Sequence, residues 1–133
     1  MEKAFKKQIN LLIVGAGKAG ELISQDIASA ADSAFKIVGF IDDDEDKQGL
    51  TVSGFKVLGR ISDLPKIVPA HKVEEILIAI PSERGKAIRK VIEQSTGLRV
   101  EYKILPRMTE VLMQDFRKDY LKYVRKVRPE DLL

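Results

Sequence analysis

Apolar residues along the chain gather into five short runs, separated by stretches in which they recur at helical spacing. The runs cover 9–14, 35–41, 55–58, 75–80 and 98–105, each of strand length and bounded mainly by glycine, proline or charged residues. Between the first two, Ala19, Leu22, Ile23, Ile27 and Ala30 recur every three or four positions, which predicts a helix over about 18–30. A shorter helix is expected over 63–68, capped by Ser62 or Asp63 and ended by Pro69. A third starts at Pro81-Ser82, with proline at the entry and serine as N-cap. It runs to about Gln94, buries Ala87, Ile88, Val91 and Ile92, and is stopped by Gly97. A last short helix is expected over 109–113.

The order β-α-β-β-α-β-α-β-α is that of an α/β fold. The run at 75–80 shows no polar alternation after Glu75, as expected for a strand buried on both faces of a parallel sheet. Right-handed crossovers then wind the chain into a doubly wound five-stranded parallel sheet of order 3-2-1-4-5, with helices on both faces. Its ligand crevice is expected at the C-terminal edge between strands one and four, where 15–20 meets Ile80-Pro81-Ser82.

The first strand runs directly into Gly15-Ala16-Gly17-Lys18-Ala19-Gly20, a Gly-x-Gly-x-x-Gly turn opening the first helix. Gly15 allows the tight turn, Gly17 lets a diphosphate approach bare backbone, and Gly20 lets the helix pack close to the sheet. The backbone of Gly15, Ala16, Gly17, Lys18, Ala19 and Gly20, backed by the helix dipole, is therefore the expected cradle for an anion. The second strand ends in Asp42, twenty-two residues after Gly20, where a carboxylate would grip ribose hydroxyls and repel a 2′-phosphate. Asp43 is a weaker candidate for the same role, whereas Asp44, Glu45 and Asp46 read as an acidic solvated turn. Pro81 and Ser82 are candidates across the crevice, although Ser82 also serves its own helix as a cap. Arg84 reads as solvent-exposed and His71 as a surface loop residue.

Composition narrows the chemistry. The 133 residues suit one domain with a real core. With no cysteine and one histidine, disulfides, thiol catalysis and cysteine- or histidine-rich metal centres are excluded. No apolar run approaches the roughly 20 residues that span a bilayer, and the first residues lack the apolar core of a secretory signal. These features together fit a cytoplasmic location. Residues 117–133 hold six bases and three acids, so the whole net charge of +3 resides there. Without aromatic–basic interleaving, that segment reads as a solvated linker or exposed helix face, not a nucleic-acid surface. Tyr-x-x-x-Lys is missing: the positions four after Tyr102, Tyr120 and Tyr123 are Pro106, Val124 and Val127. The Met variant fails as well, since Met108 leads to Leu112 and Met113 to Arg117. No catalytic residue and no metal ligand is nominated, and the isolated chain is expected to be inactive.

Beyond the glycine turn, the chain carries Val38-Gly39-Phe40-Ile41-Asp42-Asp43-Asp44, Gly54-Phe55-Lys56-Val57-Leu58-Gly59, Ile78-Ala79-Ile80-Pro81-Ser82, Ile104-Leu105-Pro106 and a closing Pro129-Glu130-Asp131-Leu132-Leu133. In this order the motifs resemble the N-terminal Rossmann-like domain of CapD-like membrane-associated polysaccharide biosynthesis proteins, nucleotide-sugar 4,6-dehydratases and epimerases. The resemblance implies a nucleotide-binding domain over 1–116 and a basic tail over 117–133 leading to a catalytic domain outside this chain. It also implies a cytoplasmic module attached to the membrane only through the parent's helices. NAD(H) is the expected cofactor, with NADP or a UDP-sugar as alternatives, and a homodimer as a further expectation. Initiating sugar-phosphate transferases carry a similar domain, and redox-sensing repressors share the glycine turn. An NAD(H)-sensing regulatory or assembly domain is thus the competing reading.

Overall fold

A computed structural model describes residues 7–30, 32–80, 84–106 and 121–133. Strand β1 (Ile9–Val14) leads into helix α1 (Lys18–Ser29), and β2 (Phe35–Ile41) returns beside β1. After a 3-10 turn at Glu45–Lys47 come β3 (Thr51–Val52) and β4 (Phe55–Gly59), then α2 (Leu64–Ala70) and β5 (Glu75–Ile78). Helix α3 (Arg84–Gln94), β6 (Glu101–Ile104) and β7 (Arg125–Lys126) complete the regular elements, and a 3-10 turn at Pro129–Leu132 follows.

The sheet order is β3-β4-β2-β1-β5-β6-β7. The five expected strands are its parallel core, in the expected order, with β1 paired to both β2 and β5. Each edge carries one additional short strand. Ser53 and Gly54 sit at positive φ (52° and 85°), which closes β3 onto β4 as an antiparallel hairpin. At the other edge β7 pairs antiparallel with β6.

Leu11, Ile13, Phe40, Val57 and Leu77 face one side, where Ile23 and Ile27 of α1 cover them. Leu12, Val14, Ile41, Ile76, Ile78 and Ile104 face the other, beneath Leu64 and Ile67 of α2 and Ile88 and Val91 of α3. Most of these side chains are fully excluded from water, each contributing about 1.5–3 kcal/mol by burial. Cover on both faces explains the unbroken apolar runs.

Three expectations need correction. Pro69 does not end the second helix but lies within it, one residue before its end at Ala70. Asp63 stands at the N-cap position of α2 without capping it, because its carboxylate accepts from the Arg60 N–H at 2.9 Å. The described part of the basic segment, 121–133, is not a solvated tail. Leu121 and Val124 pack on the α1 side, Val127 and Leu132 on the α3 side, and Arg125 forms a two-pronged ion pair with Asp131 at 2.8 Å. That carboxylate raises the pKa of the Arg125 guanidinium. The helix expected over 109–113 lies outside the described residues.

At the end of β1 the chain turns through Gly15 at φ +109°, where a Cβ would stand 2.6 Å from the Ala79 carbonyl oxygen. A Cβ on Gly20 would overlap the Gly15 carbonyl oxygen, so α1 lies as close to the turn as backbone permits. Gly17, by contrast, has open space around it. Gly20→Ala is therefore expected to lower unfolding free energy by roughly 1–2 kcal/mol despite the better helix propensity of alanine. Gly17→Ala should cost less than about 1 kcal/mol. Urea denaturation of the two variants checks this, and equal midpoints would contradict the close packing.

Candidate functional site

The site lies at the C-terminal ends of β1, β2 and β5, where the strand order reverses about β1. Backbone bonds tie these ends together: Gly15 N–H donates to Ile41 O (2.7 Å), Ala79 N–H to Val14 O (2.8 Å), and Asp42 N–H to Gly59 O (3.0 Å). Gly17 is the N-cap of α1 and has no side chain with which to cap it, and among the described residues no side chain caps the first amides of the helix. They carry the positive end of the helix dipole.

Asp42 reaches this turn directly. Its Oδ2 accepts from the Ala16 N–H at 2.8 Å and its Oδ1 from the Asp44 N–H at 2.9 Å. The Ala16 amide is thus held by a carboxylate within the chain, and the amides beyond it remain for an anion. Lys47 approaches the same residue from the other end of its backbone, Nζ donating to Ala16 O at 3.0 Å. Gln48 braces the loop by donating to Asp42 O and Asp44 O. Asp44 caps the 3-10 turn through the Asp46 N–H, a local role that suits its exposed position.

Asp43 points the other way. Its Oδ1 accepts from Ile61 N–H at 2.8 Å and its Oδ2 from Lys90 Nζ at 2.7 Å, joining the loop after β2 to α3. Partial burial raises its pKa, but the Lys90 and Ile61 hydrogen bonds and the charges of Lys90 and Arg60 outweigh this and hold it below the ordinary 3.8. Beside it opens a cavity of about 400 Å³ lined by Val14, Asp42, Asp43, Ile61, Lys86 and Lys90, among others. Its wall is half apolar and half charged, with both signs of charge present.

The glycine turn, Asp42 and Asp43 therefore converge on one edge, as the sequence led one to expect. Pro81 and Ser82 fall outside the described residues. Lys47, Lys86 and Lys90 were missed: Lys47 sits within the acidic loop, and the other two lie on the polar face of α3, where lysines carry no spacing signal. His71 is exposed at the C-terminal end of α2, away from this edge. Among the described residues, no cluster of acidic and histidine side chains could hold a metal ion, and no helix is long and apolar enough to cross a membrane.

A doubly wound sheet with this turn, helix N-terminus and strand-end carboxylate defines a Rossmann-like α/β fold. Residues 2–106 match the family described as CoA-binding domain, and the chain belongs to that family. It is 31% identical to the capsular polysaccharide biosynthesis protein CapD of Staphylococcus aureus, over 100% of this chain and 22% of that protein. A redox-sensing transcriptional repressor Rex of Thermotoga petrophila is 36% identical over 68% of this chain and 43% of its own length. The solved UDP-D-quinovosamine 4-dehydrogenase from Vibrio fischeri superposes with a TM-score of 0.77 at 26% identity, covering 95% of this chain and 98% of that one. The chain thus spans about a fifth of CapD and under half of the Rex repressor.

The Asp43 pairing has a measurable consequence. Because its folded pKa is depressed, the stability it contributes is complete above the unfolded value and is lost as pH falls through the folded value, below about 4. An NMR titration of the Asp43 carboxyl group should show a midpoint under 3.8, returning towards that value in Lys90→Met. An unmoved midpoint in the variant would show that Lys90 does not hold Asp43.

Proposed function

We propose that this chain is a nucleotide-binding module of a protein that modifies nucleotide sugars for surface polysaccharide synthesis, and that NAD(H) is its ligand. The diphosphate lies over Gly15, Ala16 and Gly17 against the first amides of α1, and the adenosine ribose lies at Asp42. The observation that carries this reading is the open backbone at Gly17 beside a strand-end carboxylate already aimed into the turn. A ligand with an anionic centre and adjacent hydroxyl donors matches both features. Asp43 flanks the ribose position, and Pro81 and Ser82 belong to the proposed set of ligand contacts. The likeness to CapD and to the Vibrio dehydrogenase supports the sugar-nucleotide context.

The module binds and does not turn over sugar, since a nicotinamide still needs a positioned acid–base group at the reacting hydroxyl. Beyond residue 116 the chain then serves as the passage towards a catalytic domain. A UDP-sugar is the alternative occupant of the same cradle, and the parent is alternatively an initiating sugar-phosphate transferase. The likeness to a redox-sensing repressor supports a second reading, in which the module reports the NADH/NAD ratio by changing its contacts with a partner or a second copy. Coenzyme A, suggested by the family's description, shares the ADP moiety with NAD. Its ribose, however, bears a phosphate where Asp42 requires a hydroxyl.

Calorimetric titration with NAD, NADH, NADP, coenzyme A and UDP-GlcNAc separates these ligands. NAD(H) should bind most tightly, with NADP and coenzyme A weakened by like-charge contact with Asp42. Gly17→Val should abolish binding while the protein stays folded. Equal affinity for NAD and NADP at low salt would remove Asp42 from the site, and unchanged binding in Gly17→Val would remove the turn.

A further inference from the structure

Lys47 stands in the 3-10 turn after β2, directly behind Asp42-Asp43-Asp44-Glu45-Asp46. Five acids precede this lysine, yet its ammonium leaves them and crosses to the glycine turn, 31 residues away, where Nζ donates to Ala16 O at 3.0 Å. Ala16 is consequently held at both ends of its backbone, its N–H by the Asp42 carboxylate and its C=O by the Lys47 ammonium. Of the other cations near the edge, Lys18 opens α1 with its side chain exposed to solvent, whereas Lys47 is half-buried against the turn. Lys90 is paired with Asp43 and Arg60 with Glu45, while Lys86 lines the cavity on the α3 side.

This placement resolves an electrostatic conflict in the site. Asp42 puts a negative charge within hydrogen-bonding distance of the turn that a diphosphate must approach, and like charges at that range oppose binding. An ammonium has three N–H donors, and the Ala16 carbonyl takes one. The side chain is half-buried, so its charge is screened less than that of an exposed lysine.

We propose that Lys47 is the diphosphate-positioning residue of this site: its ammonium offsets the Asp42 carboxylate and directs its remaining N–H groups to the diphosphate of a nucleotide lying over Gly17. The inference rests on the nucleotide reading of the glycine turn and names the side chain that makes the turn accept two negative charges next to a carboxylate. It predicts that Lys47 acts on the phosphates alone and is indifferent to the nucleoside.

The experiment compares NAD and UDP with the phosphate-free nucleosides adenosine and uridine on the parent chain, Lys47→Gln and Lys47→Arg. Gln retains a donor for Ala16 O and removes the charge, and thermal unfolding establishes that each variant is folded. The parent should bind its diphosphate ligand more tightly than the matching nucleoside. Lys47→Gln should lose roughly tenfold or more on the diphosphate ligand, show a weaker salt dependence, and bind the nucleoside unchanged. Lys47→Arg should recover most of the loss. Parent-like binding of the diphosphate ligand by Lys47→Gln overturns the role of Lys47 while leaving the nucleotide reading intact. Equal loss on diphosphate and nucleoside shows that Lys47 merely shapes the turn, which also overturns it. A parent chain that does not prefer NAD or UDP over the nucleosides overturns the nucleotide reading, and Lys47's role with it.

Discussion

The C-terminal edge of this molecule depends on how near α1 can come to the end of β1. The contact is backbone against backbone, since Gly20 abuts the carbonyl of Gly15 with no room for a Cβ. Gly15 itself must adopt φ +109° and pass close to Ala79, the residue that follows β5. The turn is therefore fixed on one side by β2, through the bond from Gly15 N–H to Ile41 O, and on the other by β5. Raising α1 by the radius of a methyl group would carry its N-terminal amides away from the glycine turn that Asp42 holds at Ala16. Packing and electrostatics are one constraint here, because helix position sets the direction of its dipole.

The parallel core was legible because burial on both faces leaves unbroken apolar runs, and the crossover rule then orders them. Two-residue strands such as β3 and β7 have no period to detect, so the edges of the sheet were invisible. Pro69 misled for a definable reason. Proline removes one bond, its own to the residue four before, while the His71 N–H still closes the last turn onto Ile67 O at 3.0 Å, so the helix runs past Pro69 to Ala70.

At the site, Asp42 was readable from its distance to the glycine turn, but the bond it makes to Ala16 was not. That bond makes the carboxylate part of the turn's own architecture, in addition to its proposed role towards a ligand. Lys47 and Lys90 escaped notice because a lysine's destination depends on the fold around it, and its long side chain can end far from its own element. The basic segment was misread similarly. Its apolar residues Leu121, Val124 and Val127 are three apart, yet they do not share one face: Leu121 and Val124 pack on one side of the sheet, Val127 and Leu132 on the other. Its charges dominated the composition, while its burial was determined by four scattered side chains.

The antiparallel strands at the two edges bear on a matter unrelated to ligands. A bare parallel edge presents a ladder of unused amides and carbonyls on which another chain can template. Here β3 and β7 are laid over those ladders, and each offers the outside only two residues of its own. Lys126 is exposed on β7, adding a charge that an incoming strand would have to desolvate. The sheet core can thus be strongly apolar and parallel without inviting edge-to-edge aggregation, and the short hairpin and the basic segment act as its gatekeepers.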